Sequence, residues 1–241
     1  MGFNEKTHAF IAARYYYHLT RRFGSRGREA FIHATQHYGG QRGRRMAQRA
    51  IRDGQELSFE TYLRYGEWVN TPEVKALGCA NAGRLLCSAP DYVQEVTVCP
   101  WNTQFREMGL TEAGETYCTY LDSAICRGFN PALNYRVPQN LNQGAPCCHI
   151  VTGANAGPGP FRKNPAYLRS FAYHCGHSYW AYREVAEAVF GDGGTEVAEQ
   201  VLADFAGSYG EDMARRLRSY EHTNFNIPDD REENRVPEDE L

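Results

Sequence analysis

The stretch Tyr92-Val93-Gln94-Glu95-Val96-Thr97-Val98-Cys99-Pro100-Trp101 decides how this chain is read. From Tyr92 to Val98 the residues alternate and are rich in β-branched side chains, which is the pattern of a half-buried strand. That strand delivers Cys99 at its end. Downstream, Phe105 to Met108 and Glu112 to Arg127 read as helices, the second carrying Tyr117-Cys118-Thr119-Tyr120-Leu121-Asp122. Positions 118, 122 and 126 stand four apart, so Cys118, Asp122 and Cys126 share one helical face. Asn134 to Val137 and Cys147 to Thr152 read as two further strands, joined through a loop around Asn142-Gln143-Gly144. The segment from Asn81 to about Pro90 is small and mixed and predicts no regular element. The fold class expected is α+β, with a small, mainly antiparallel sheet in the central region flanked by two related helical arms.

The arms lie on either side of this centre. In the first, Phe10, Ile11, Tyr15, Leu19 and Phe23 recur at helical spacing from His8, and Gly24 ends that helix. A second helix is predicted from about Arg26 to Tyr38, ended or weakened by Gly39-Gly40, and a third from about Arg42 to Asp53. Ser58 can cap a short helix starting at Phe59. A shift of 167 positions superimposes the arms without a gap and gives nine identities in the 28 positions from 23 to 50, among them Phe23-Gly24 on Phe190-Gly191 and Met46-Ala47 on Met213-Ala214. Glycines and the Met-Ala pair hold register throughout, which favours a duplicated helical hairpin packed as a pseudo-symmetric pair. The organisation predicted is an N-terminal helical arm (1–80), a central α+β region (81–152), a Gly/Pro linker (153–165), a C-terminal helical arm (166–228) and an acidic tail (229–241), flexible or draped on the surface.

Charge is divided along the chain. Residues 1–50 carry ten Lys/Arg against two Asp/Glu, a balance of +8, and residues 191–241 carry five against fourteen, a balance of −9. The arginines are interleaved with a core-like apolar pattern and no nucleic-acid motif accompanies them, so pairing between the arms, within or between subunits, is preferred over nucleic-acid binding. No apolar run reaches membrane-spanning length and the first residues lack a secretory pattern, so a cytoplasmic protein is expected, with no membrane partner and a homo-oligomer open. Eight cysteines without a secretory signal read as reduced thiols. No CxxC is present, so neither a metal nor another cofactor is expected.

The chemistry concentrates in the centre. Cys118 becomes a nucleophile if a partner takes its proton, and Asp122 stands one helical turn away. A carboxylate alone raises a thiol's pKa, so a histidine or a cation is needed as well. His149 is available in the strand after Cys148, and His174 and His177 stand three apart in Tyr173-His174-Cys175-Gly176-His177, suited to a base and its helper or to two metal ligands.

The succession Cys99-Pro100-Trp101, Gly109-Leu110, Tyr117-Cys118 with Asp122, Gly128-Phe129-Asn130-Pro131 and Gly144 with Cys148 resembles the L-2-amino-thiazoline-4-carboxylic acid hydrolase family over about residues 90–152, and more loosely over the Phe-Gly arm. That family's last motif usually reads Gly-Asp before its cysteine, where this chain has Gly144-Ala145, so one carboxylate of the pattern is missing. The resemblance implies a cofactor-independent hydrolase that opens a small cyclic isothiourea, amidine or amide to a carbamoyl product. For that chemistry Cys118 is expected as nucleophile, Asp122 as its orienting or proton-handling partner and His174 or His177 as general base, with Cys99, Trp101, Phe129, Asn130, Cys148 and His149 around a small-molecule substrate, whose carboxylate an arginine holds. Two other classes remain open: a metal-dependent hydrolase with Cys and His ligands, and a non-catalytic small-ligand-binding module.

Overall fold

The computed structural model describes residues 2–157, 159 and 161–237. The first helix, α1 (Glu5–Phe23), starts three residues before His8 because Asn4 caps it. The Asn4 side chain accepts from the amides of Lys6 and Thr7, while Thr7 Oγ1 accepts from the Asn4 amide. Gly24, at φ 58° and ψ −132°, turns the chain sharply into α2. That second helix runs without interruption from Ser25 to Arg52, so Gly39-Gly40 do not break it.

These glycines serve helix contact. A Cβ on Gly43 would lie 2.0 Å from the Ile125 carbonyl oxygen, one on Gly39 2.9 Å from the Ala124 Cβ, and one on Gly128 2.5 Å from the Gly40 carbonyl oxygen. Helix α6 (Thr111–Phe129) therefore crosses α2 backbone to backbone, a distance only glycine permits. Sequence periodicity reads a Gly pair as a stop because the partner helix that uses it is invisible locally.

The described residues form four strands, the three expected, β2 (Val93–Val98), β3 (Tyr135–Gln139) and β4 (Cys148–Thr152), and one more, β1 (Ala82–Cys87), in the segment read as irregular. They form one sheet in the order β1-β2-β4-β3, antiparallel at every pairing. Strand β1 was hidden in the sequence because it is an edge strand: Leu85 and Leu86 are both exposed, so no in/out alternation marks it. The remaining helices are α3 (Phe59–Arg64), capped by Ser58 as expected, α4 (Pro72–Ala76), α5 (Pro100–Glu107), α7 (Phe171–Phe190), α8 (Asp192–Tyr209) and α9 (Glu211–Arg218). The fold is α+β.

The two arms pack reciprocally, α1 on α8 and α2 on α7. Gly191 turns α7 into α8 at φ 56° and ψ −132°, nearly the dihedrals of Gly24. A Cβ on Gly27 would meet the Leu19 carbonyl oxygen at 2.0 Å and one on Gly194 the Ala186 carbonyl oxygen at 2.1 Å, positions again related by 167. Phe23 and Phe190 stack on each other with centroids 3.8 Å apart and planes 2° apart. The opposite charges of the arms meet within the chain, Arg14 pairing with Asp204 and Arg22 with Glu196, and His18 and His37 hydrogen-bond Asp204 and Glu184 across the same seam.

Two segments are tied in more firmly than composition suggests. Ala156, inside the Gly/Pro stretch, is fully buried and its amide donates to the Ser88 carbonyl; residues 158 and 160 lie outside the described residues. In the tail, Asp230 accepts from Arg169 at 2.7 Å and from Arg52 at 3.0 Å, and buried Asn234 accepts from Tyr220 Oη. Residues 238–241 of that tail lie outside the described residues. No helix among the described residues is long and apolar enough to cross a membrane.

Candidate active site

The sheet uses its two faces differently. On one face Gln94 and Val96 of β2, Tyr135 and Val137 of β3, and Cys148 and Ile150 of β4 alternate inward and floor a cavity of about 690 Å³. Helix α6 forms the facing wall with Cys118, Asp122 and Ile125, one turn apart along the face that the four-residue spacing predicts. Cys99 enters at the end of β2, Arg42 from α2 and Lys163 from the segment after β4.

Three thiols therefore share the cavity. Cys118 is a protonated thiol at rest: burial pushes it well above the ordinary range, Cys99, Cys148 and Asp122 push the same way, and a hydrogen bond from Asn142 Nδ2 at 3.4 Å opposes them. Burial likewise pushes Cys99 up to about 12 and raises Cys148. Asn142 is itself fixed, since its Oδ1 accepts from Asn102 Nδ2 at 2.9 Å. The absent Cβ of Gly114 gives it room, as that carbon would lie 2.5 Å from the Asn142 amide. All eight cysteines are free.

Asp122 faces the same void. Burial raises its carboxyl to about 6, with the Arg42 charge pulling against that rise. A carboxylate in a cleft with its pKa near neutrality is equipped to take up and return a proton. Tyr62 and Tyr135 close the apolar surroundings, and burial holds both phenols well above their usual range.

Arg42 heads a stripe of arginines. Positions 42, 45, 49 and 52 lie along one face of α2, and Arg45 and Arg49 clasp the buried Glu67 at 2.8 and 2.6 Å. Arg42 reaches Glu67 only at 3.7 Å and Tyr38 Oη only at 3.5 Å, and its Nε is buried without a hydrogen-bond partner among the described residues. Lys163 is held by one hydrogen bond, from Nζ to the Trp68 carbonyl at 2.6 Å, with the ammonium 4.8 Å from the Trp68 ring centroid.

Of the residues the sequence proposed, Cys118, Asp122, Cys99 and Cys148 come together and the others stand apart. His174 and His177 do not reach the cavity. They lie on the face of α7 packed in the interior, where His174 Nε2 meets the Glu67 carbonyl at 3.1 Å and His177 Nε2 meets Gln41 Oε1 at 2.7 Å. Burial depresses both well below the usual imidazole range, so both are neutral and structural. His149 sits across from Glu95 on the sheet face turned away from the cavity. Trp101 donates from Nε1 to His8 Nδ1 at 3.0 Å, Phe129 packs edge-on against Tyr62, and Asn130 Nδ2 donates to the Leu57 carbonyl at 2.8 Å. None of the four lines the cavity, and neither does Ala145, where the family pattern has a carboxylate.

Arg42, Lys163 and Asn142 are not among the site residues expected from the sequence. Arg42 had a usable signal in the 42/45/49/52 spacing, which a solvated basic face has no reason to keep. Asn142 and Lys163 sit in irregular segments without one. Among the described residues no three His, Cys, Asp or Glu side chains gather in a way that could hold a metal ion.

A family model described as L-2-amino-thiazoline-4-carboxylic acid hydrolase matches residues 4–151. That span takes in Arg42, Cys99, Cys118, Asp122, Asn142 and Cys148 and ends before Lys163. No curated protein and no solved structure matches the chain.

Proposed function

Because this chain belongs to the L-2-amino-thiazoline-4-carboxylic acid hydrolase family, we propose that it is a hydrolase opening a small cyclic isothiourea or amidine of the 2-aminothiazoline-4-carboxylate kind. One observation carries the reading: Cys118 and Asp122, one turn apart on α6, face a single cavity of about 690 Å³, large enough for such a ring.

The ring carbon between nitrogen and sulfur is the electrophile. A protonated amidine is cationic, and Asp122, ionised above about pH 6, is the carboxylate available to receive it. The same positive charge beside Cys118 offsets the burial that keeps its thiol protonated. Asp122 then takes the thiol proton, and the sulfur adds to the ring carbon. The ring C–S bond breaks and the departing sulfur takes that proton from Asp122, which leaves the carboxylate ionised again. Water next adds to the enzyme-bound carbon with Asp122 as base, the Cys118 sulfur leaves as the thiol, and the carbon ends as a urea carbonyl. One water is consumed, and the product is an N-carbamoyl cysteine. Asn142, donating to the Cys118 sulfur, steadies it as it gains charge.

The strongly raised thiol pKa favours a second reading, in which Asp122 activates water directly and Cys118 only shapes the cavity. Purified protein is assayed for ring opening with 2-aminothiazoline-4-carboxylate, beside Cys118→Ala, Cys118→Ser and Asp122→Asn. Asp122→Asn should lower kcat by about 100-fold or more under either reading. Both Cys118 variants should fall as far under the covalent reading alone, and a mass adduct on Cys118 should appear during wild-type turnover. Full turnover in both Cys118 variants removes the nucleophile. Absence of ring opening by the wild type removes the proposed function.

A further inference from the structure

We propose that Arg42 and Lys163 together form an anion subsite that holds the carboxylate of the substrate, so that the cavity selects rings carrying a carboxylate on the carbon across the ring nitrogen from the reacting carbon. The inference rests on the ring-opening reading for the identity of the ring, but its own evidence is separate.

The arginine stripe leaves a surplus of positive charge. Glu67 is the carboxylate at its centre, and Arg45 and Arg49 already take both its oxygens at 2.8 and 2.6 Å. Asp230 serves Arg169 and Arg52 at the far end. Arg42, at the cavity end, is left with a 3.7 Å approach to Glu67 and a buried Nε that has no hydrogen-bond partner among the described residues. With Glu67 already shared between Arg45 and Arg49, an anion arriving in the cavity gives Arg42 a counter-charge and hydrogen-bond acceptors that the protein supplies only at long range.

Lys163 lines the same cavity. It has one carbonyl partner, at Trp68, and no ion pair among the described residues, so two of its three donors are unspent. A Cβ on Gly66 would meet the Lys163 side chain at 2.9 Å, so the bare glycine makes room for the lysine stem. Burial, and then the charge of Arg42, pull the Lys163 ammonium down to about 8, as befits two cations sharing a space short of negative charge. Asp122 makes no ion pair with either cation within 4.0 Å, so opposite charges line one void without cancelling. A ring bearing a carboxylate and an amidinium matches that arrangement.

The chemistry divides along the chain. The reacting pair and Arg42 fall within the matched span 4–151, whereas Lys163 comes from beyond it. The segment after β4 therefore adds half of the carboxylate grip.

Initial rates are measured for the full chain with 2-aminothiazoline-4-carboxylate and with 2-aminothiazoline, which lacks the carboxylate, in wild type, Lys163→Met and Arg42→Lys. Binding of thiazolidine-4-carboxylate, which has the carboxylate but no amidine carbon, is followed by calorimetry. In the wild type the carboxylated ring should have a kcat/KM at least about tenfold higher, the size of one charge-assisted contact. That ratio should collapse by about tenfold in Lys163→Met, mainly through KM, and Lys163→Met should bind thiazolidine-4-carboxylate about tenfold more weakly. Equal kcat/KM for the two rings in the wild type, or an unchanged ratio in a folded Lys163→Met, overturns the subsite. If the wild type opens neither ring, the ring-opening reading has failed. The subsite then stands or falls on thiazolidine-4-carboxylate alone: binding that Lys163→Met weakens upholds it, and no binding by the wild type overturns it.

Discussion

Replacing Asp122 by asparagine should make the protein more stable while it loses activity, and the gain should depend on pH in a defined way. Burial raises this carboxyl from 3.8 to about 6, so the folded protein keeps it protonated more readily than the unfolded chain does. Stability is therefore lost as the pH rises between those values, because the folded state must either hold a proton the solvent is taking or ionise a buried group. At about 1.36 kcal/mol per pH unit the full penalty approaches about 3 kcal/mol, and because Asp122 is only partly buried, solvent screening reduces it toward about 1–2 kcal/mol. The Asn side chain is nearly the same size and neutral at every pH, so it avoids the penalty. Urea unfolding of wild type and Asp122→Asn at pH 4, 5, 6 and 7.5 measures the difference. The stability gap should be near zero at pH 4, open between pH 4 and 6, and stay constant above. A variant less stable than wild type at pH 7.5, or a gap of the same size at every pH, would refute the assignment of Asp122 as a strained, cavity-facing carboxylate. The acid limb of the kcat/KM profile should carry the same group, with half-activity near pH 6.

Three further outcomes follow from the same structure. Gly43→Ala should destabilise by about 2–3 kcal/mol or more in urea, because its Cβ would stand 2.0 Å from the Ile125 carbonyl oxygen, whereas Gly207→Ala, with open space around it in α8, should stabilise by about 0.5–1 kcal/mol; equal effects would contradict the tight α2–α6 crossing. Glu67→Gln should cost about 3–5 kcal/mol near neutral pH, since it leaves Arg45 and Arg49 buried without their carboxylate. Burial would raise the Glu67 carboxyl, but Arg45, Arg49 and Arg42 outweigh it and hold it well below the usual range, so its contribution is complete above about pH 4.5 and fades only as the pH falls; a loss under about 1 kcal/mol at pH 7 would contradict this. Finally, Cys118 in the free protein should react with iodoacetamide at pH 7.5 at least about tenfold more slowly than a free thiol and accelerate with pH, read by mass spectrometry of the labelled peptide; rapid labelling at neutral pH would show that burial does not hold the thiol protonated.

What the sequence determined by itself was whatever depends on local periodicity. The alternation of Tyr92 to Val98 marked β2, the i, i+4 spacing marked Cys118 and Asp122 as one face of α6, and the 167-residue register marked Gly24 and Gly191 as equivalent joints. These signals survive because each element's apolar or reactive face is written in its own spacing. Tertiary structure decided what lies between elements. Gly39 and Gly40 read as a break until α6 is placed against them, and Leu85 and Leu86 conceal a strand because an edge leaves both exposed. His174 and His177 share a helix face, but only the packing of α7 shows that this face turns into the interior. Arg42 and Lys163 lie far apart in sequence, and what places them at one cavity is the long-range crossing of α2 over α6 and the return of the chain after β4. A cavity belongs to no segment, so the groups with unspent donors and the carboxylate with a raised pKa become visible only once the elements have closed around it.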